Sequence, residues 1–145
     1  MFPPNNFAFH HVGVACESID GELSVWETLG YRPEGKTFID DAQGIRGQFM
    51  TGGGPRIELL EATGGSQTLA PWIKRRVKFY HMGYLVEAFE ASVDALVAEG
   101  ATITRQPMMS VYFGTRIAFL MMPNMALIEI IEARQHSNAS AGDRG

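Results

Sequence analysis

Phe9-His10-His11-Val12-Gly13 and Phe79-Tyr80-His81-Met82-Gly83 are two versions of one segment, seventy positions apart. At the same offset Gly30 meets Gly100, and Gly44-Ile45-Arg46-Gly47-Gln48-Phe49 meets Gly114-Thr115-Arg116-Ile117-Ala118-Phe119. After a one-residue insertion, Ile57-Glu58-Leu59-Leu60-Glu61-Ala62 meets Ile128-Glu129-Ile130-Ile131-Glu132-Ala133. Four matches in order, at nearly constant offset, mark a duplication. A unit of about 70 residues is too long for a solenoid repeat, so each copy is read as a supersecondary module.

Both copies follow one pattern. A short strand (8–16; 79–86) precedes a helix. In the first helix Leu23, Trp26 and Leu29 lie at helical spacing, Ser18 or Asp20 can cap the start, and Gly30 sits at the C-terminal cap position. In the second, Phe89, Val93, Leu96 and Val97 form the apolar stripe and Gly100 ends it. Three strands follow in each copy (31–39, 45–51 and 56–61; 101–105, 115–121 and 126–132). Thr51-Gly52-Gly53-Gly54-Pro55 and Met122-Pro123-Asn124-Met125 read as the turns between the last two. The predicted architecture is α+β: an N-terminal extension (1–7), a first βαβββ module (8–62), a connecting segment (63–78), a second βαβββ module (79–133) and a small, polar, disordered tail (134–145). Gly64-Gly65-Ser66 opens the connection as loop, and Leu69 to Lys78 can hold a short helix.

Bulk properties exclude several classes. The 145 residues suit one compact domain or two small halves sharing a core, and 46% apolar content is enough to fill it. A net charge of −4 lacks the basic footprint of a nucleic-acid binder. The single cysteine, Cys16, forbids an intrachain disulfide and fits a reducing compartment. Met1 to Phe9 lacks the organisation of a signal peptide, and no apolar run reaches the roughly 18 residues that span a bilayer. The expectation is a cytoplasmic protein with a small-molecule partner, not nucleic acid or membrane.

Strand parity picks out four polar residues. His11 opposes Val12 and Val14, Glu58 opposes Ile57 and Leu59, His81 opposes Met82 and Tyr84, and Glu129 opposes Ile128 and Ile130. A helix covering the apolar face of each copy leaves all four on the other face, where they converge if the modules curl into one cup. A lone histidine is more often an ordinary hydrogen-bonded residue, and a lone strand glutamate an edge residue facing water. Their matched placement in both copies shifts the reading to a metal site, since a buried carboxylate needs a partner. Two imidazoles and two carboxylates suit one divalent ion, with Zn²⁺, Co²⁺, Ni²⁺ and Mn²⁺ all open. His10 competes with His11, but its alignment with Tyr80 assigns it a structural role.

His11-Val12-Gly13-Val14-Ala15, Ile57-Glu58-Leu59-Leu60-Glu61, Tyr80-His81-Met82-Gly83-Tyr84 and Leu127-Ile128-Glu129-Ile130 resemble the vicinal-oxygen-chelate superfamily, over about residues 8–133. The group includes glyoxalase I, extradiol dioxygenases, fosfomycin- and bleomycin-resistance proteins and methylmalonyl-CoA epimerase. The local likeness is nearest to the epimerase, through Leu69-Ala70-Pro71-Trp72-Ile73-Lys74 leading into Tyr80-His81-Met82-Gly83. The resemblance implies an eight-stranded half-open cup with a metal at its floor, held by His11, Glu58, His81 and Glu129. Bleomycin-resistance proteins lack such ligands, and extradiol dioxygenases use three.

The resemblance also implies the chemistry. The ion chelates two neighbouring substrate oxygens and acts as a Lewis acid, while a base, Glu129 or Glu58, removes a proton beside the carbonyl. The leading expectation is a metal-dependent isomerase, epimerase or lyase for a small carbonyl or acyl-CoA substrate. The alternatives are a glyoxalase-like glutathione-adduct lyase and an antibiotic-binding or resistance protein. One position departs from the pattern: some epimerases resembling this chain carry a second glutamate where Gly47 stands, and the small residue is read as room for a bulkier substrate. Arg46, Arg116 and Gln48, at or near matched positions, are candidate substrate-binding residues, and Tyr112, with Phe113 and Gly114, a candidate aromatic flap. Lys74, Arg75, Arg76 and Lys78 are candidates for coenzyme A phosphates. Met108, Met109, Met121 and Met122 are expected in core or pocket lining. A homodimer is implied by the resemblance.

Overall fold

The computed structural model describes residues 7–134. Apart from Phe7 and Arg134, the expected extension (1–7) and tail (134–145) lie outside the described residues. The elements in order are β1 (Ala8–Ala15), α1 (Ile19–Thr28), β2 (Arg32–Asp40), β3 (Ile45–Thr51), β4 (Ile57–Ala62), α2 (Ala70–Arg75), β5 (Phe79–Val86), α3 (Phe89–Ala98), β6 (Thr102–Met109), β7 (Arg116–Met121) and β8 (Leu127–Glu132). The Ser18 side chain caps α1 by accepting from the Gly21 amide, and Gly30, at φ +100°, ends it where a side chain would be strained.

All eight strands form one sheet in the order β2-β3-β4-β1-β5-β8-β7-β6. Within each copy the first and last strands pair in parallel, and the two copies join through the antiparallel pair β1–β5. The sheet has a helix-covered face. There Leu23 and Trp26 of α1 pack over Val14, Met50, Ile57 and Leu59, and Phe89, Val93 and Leu96 of α3 over Val86, Ala118, Leu120 and Ile130. The opposite face gathers Ala15, Ile45, Leu60, Leu69, Tyr80, Ile117, Phe119 and Ile131 into a third cluster, with Trp72 and Ile73 of α2 against it. The outermost strands are drawn together: buried Asp40, at the end of β2, accepts from the Val111 amide just past β6 (3.1 Å), and from the backbone and side chain of Gln43. Arg105 of β6 reaches the Ala42 carbonyl (3.4 Å). Two edges at opposite ends of a sheet meet only if the sheet is curled, and this one is a cup made of two tandem βαβββ modules.

Two details depart from simple strand reading. β6 runs four residues past its expected end, through Pro107. An edge strand tolerates a residue without an N–H, and the two register shifts here absorb the misfit. β1 and β5 each carry a bulge, with His10 and Tyr80 as the extra residues. These are the matched positions preceding His11 and His81. A bulge puts consecutive side chains on the same side, so both residues face the cup with the histidines they precede.

Candidate metal centre

Four adjacent strands, β4, β1, β5 and β8, each carry one polar residue to the cup floor: Glu58, His11, His81 and Glu129. The register aligns them. Gly13 faces Glu58 on one side and His81 on the other; Gly83 faces Glu129 and His11. The absence of a side chain at these glycines is what lets the imidazoles lie down. A Cβ at Gly13 would overlap the His81 ring, and one at Gly83 the His11 ring.

The donor atoms converge. His11 Nε2 lies 2.9 Å from His81 Nε2, 3.0 Å from Glu58 Oε1 and 3.2 Å from Glu129 Oε1. His81 Nε2 lies 3.1 Å from Glu129 Oε1 and 3.5 Å from Glu58 Oε1. Donors bonded at about 2.1 Å to a single ion stand roughly 3.0–3.4 Å apart, close to the 2.9–3.5 Å of these pairs. Glu129 Oε1 is buried and has no partner in hydrogen-bond geometry among the described residues. The four residues, each at most 6% exposed, therefore fit one divalent ion.

Burial alone would hold both histidines neutral, but the Glu58 and Glu129 carboxylates outweigh it. His11 is raised to about 9, and His81 also titrates above its ordinary range. Burial would likewise raise Glu58, yet the two imidazoles pull it down to about 2. The 2.9 Å gap leaves room for one proton between the two Nε2 atoms. A histidine pKa raised from 6.5 to about 9 stabilises the fold fully below pH 6.5 and loses that stabilisation as pH rises through 9. Glu58, lowered from 4.5, contributes above pH 4.5 and loses its effect as pH falls through 2. The metal-free protein is thus expected to melt highest between pH 4.5 and 6.5, and progressively lower up to pH 9. Ion binding, which displaces about one proton, should flatten that decline and tighten with pH. Calorimetric melts across pH, with and without Co²⁺, check this; parallel curves contradict it.

Around the centre the cup is aromatic. Phe49 sits 5.1 Å from the His11 ring, Phe113 stacks on His11 at 6.2 Å, and Tyr112 lies over Phe49 at 4.5 Å and Phe38 at 5.0 Å. His10 packs between Phe49 and Phe113, and its Nδ1 is 2.9 Å from His11 Nδ1. Burial, His11 and Arg56 lower His10 to about 4, so it is neutral near pH 7. Gly47 does not open space for substrate: the Phe38 ring occupies the place where its side chain would be.

The structure does not bring Arg46, Gln48 or Arg116 to the centre. The cup-facing residues of β3 are Ile45, Gly47 and Phe49, which leaves Arg46 and Gln48 on the helix side. Arg46 pairs with Glu61 (3.5 Å), which also binds the first amide of α1, and Gln48 donates to the Glu34 and Gly35 carbonyls at the β2 bulge. Arg116 is held by Glu132 and Glu90 over the Phe89 ring. Of the expected basic cluster, Lys78 pairs with Glu22, while Lys74 and Arg76 line a cleft of about 660 Å³ beside α1 that includes none of the four centre residues. Met108, Met121 and Met122 pack into the cores, and Met109 is exposed. Sequence reasoning missed Gly13 and Gly83, although both had a signal, since each copy reads His-x-Gly.

Comparison with known proteins agrees with this architecture. The family model described as glyoxalase/bleomycin resistance protein/dioxygenase superfamily matches residues 10–119. Methylmalonyl-CoA epimerase from Mycobacterium tuberculosis superposes with a TM-score of 0.76 at 22% identity, covering 97% of each chain. A hypothetical protein from Bacillus halodurans C-125 gives 0.75 at 24% identity, covering 93% of this chain and 99% of that one. A Streptomyces coelicolor methylmalonyl-CoA epimerase in complex with 2-nitronate-propionyl-CoA gives 0.73 at 22% identity, covering 90% and 100%. A search of curated proteins finds no match. At these identities the solved structures speak for the fold, and the family match spans most of the sequence: the chain belongs to the glyoxalase/bleomycin resistance protein/dioxygenase superfamily.

Proposed function

We propose that this protein is a metal-dependent isomerase or lyase that removes a proton beside a carbonyl of a small carbonyl or acyl-CoA substrate. The observation that carries the reading is the convergence of two imidazole nitrogens and two carboxylate oxygens, one of the oxygens buried with no partner in hydrogen-bond geometry among the described residues. His11, Glu58, His81 and Glu129 would hold the ion, which supplies Lewis-acid stabilisation of the negative charge that develops on substrate oxygens. Glu129 or Glu58 accepts the proton, being the carboxylates within reach of that position. Phe38, Phe49, Tyr112 and Phe113 exclude water from it, and Tyr112, partly exposed at the mouth, is the candidate contact with substrate. The reading is supported by the methylmalonyl-CoA epimerases among the structural relatives, including one in complex with 2-nitronate-propionyl-CoA.

The Phe38 ring over Gly47 favours one-base chemistry, as in an isomerase or a glyoxalase-like lyase, over two-base epimerisation. In D₂O, the Co²⁺-loaded protein is expected to exchange the α-proton of acyl-CoA thioesters or glutathione hemithioacetals from one face only, followed by NMR. Exchange from both faces contradicts the one-base reading; no exchange on any such substrate sinks the enolisation reading. We also propose a cytoplasmic homodimer. Val77, Phe79, Met82 and Met125 are exposed around one apolar groove that a second copy would cover, and a monomeric mass by light scattering rejects this.

A further inference from the structure

The two halves of the centre differ behind the histidines. His11 Nδ1 meets His10 Nδ1 at 2.9 Å, whereas His81 Nδ1 is buried with no hydrogen-bond partner among the described residues. In the second copy the residue in the His10 position is Tyr80, which lies edge-on to the His81 ring at 4.8 Å and gives its nitrogen nothing. The difference arises at the bulges. His10 is the extra residue of β1, and its freed carbonyl accepts from Arg56 Nη1 (3.0 Å), itself held by Glu34 (2.8 Å). That anchor turns the His10 ring into the cup beside His11, wedged against Phe49 and Phe113.

We infer that His10 is a positioning residue: its Nδ1 accepts the Nδ1–H of His11, fixing the tautomer and ring angle that present His11 Nε2 to an ion. The chemistry leaves no second arrangement. A neutral imidazole that binds metal through Nε2 carries its proton on Nδ1, so the facing His10 Nδ1 must be the bare nitrogen and His10 carries its own proton on Nε2. Partners behind a ligating histidine set ring orientation and basicity, and their loss typically costs about 10–100-fold in metal affinity. His81 has no such partner, so the two imidazoles are unequal, with His11 the oriented one. The inference rests on the metal reading of the centre.

The test uses His10→Phe, which keeps an aromatic ring between Phe49 and Phe113 but offers no acceptor, and His10→Asn, whose Oδ1 can take the place of the ring Nδ1. Co²⁺ titration should show His10→Phe weaker than wild type by roughly 10–100-fold, with His10→Asn restored to within a few-fold. In NMR of the Co²⁺-loaded protein, one strongly shifted, exchangeable imidazole N–H should be protected from solvent in wild type and His10→Asn, and exchange rapidly in His10→Phe. Matching melts of the metal-free forms check the fold. Equal affinity and equal protection in wild type and His10→Phe overturn the role of His10 while leaving the metal reading intact. A wild-type protein that takes up no Co²⁺ overturns both.

Discussion

Glu129→Ala is expected to abolish stoichiometric ion binding, with the proton-exchange activity lost along with it. Wild type equilibrated with Co²⁺ and dialysed should retain about one ion per chain, and the variant close to none. Two imidazoles and one carboxylate would remain, and the oxygen removed is the one that faces both imidazole nitrogens at 3.1–3.2 Å. Several kcal/mol of charge stabilisation at the substrate oxygens depends on the ion, so the rate loss should be on the order of 1,000-fold or more. Without metal the same change leaves the imidazole pair facing Glu58 alone, and removing one partner of a buried charge cluster costs about 3 kcal/mol. Urea unfolding in EDTA measures that part, elemental analysis the first. Full metal content in Glu129→Ala would remove Glu129 from the ligand set.

Gly13→Ala and Gly83→Ala are expected to damage the centre nearly as much while adding only a methyl group. Neither glycine has a left-handed backbone, so the penalty comes entirely from space. Each new Cβ would collide with the ring of the histidine across the β1–β5 pair, and that ring would tilt away from its partners. Metal affinity should fall roughly 100-fold or more, and overpacking should cost about 1–3 kcal/mol of stability. Gly21→Ala is the control. Its Cβ would meet Ser18 only at 3.7 Å in α1, where alanine is the better helix former, so binding should be unchanged. Normal Co²⁺ titrations for both strand variants would mean the rings adjust freely and the glycines do not shape the site.

Much of the centre was legible because two kinds of sequence signal coincided. The duplication supplied the fold and paired His11 with His81 and Glu58 with Glu129. Parity within those four strands then set them on one face. What failed was parity carried between strands. In β3 it says correctly that Arg46 and Gln48 share a side, but which side is the cup depends on register against β4. Phe49, not Gln48, stands opposite Glu58, and no feature of the β3 sequence states that. Arg116 was misplaced for the same reason, with Ala118 beside it on the helix side. That the His10 ring faces the cup follows from a bulge, which breaks the alternation that parity assumes. Phe38 filling the space at Gly47 is a contact between neighbouring strands that composition cannot reveal.

The clasp between Asp40 and the Val111 amide joins the sheet's first edge to the segment bearing Tyr112 and Phe113, which lie above the centre. Its consequence is kinetic. A barrier that arriving and departing molecules must both cross slows the two passages by the same factor, so their ratio is untouched. Loosening the clasp would therefore quicken capture and release alike, while loss of the proposed Tyr112 contact would add to release alone, shortening the dwell time, lowering occupancy and changing turnover wherever release is the slow step.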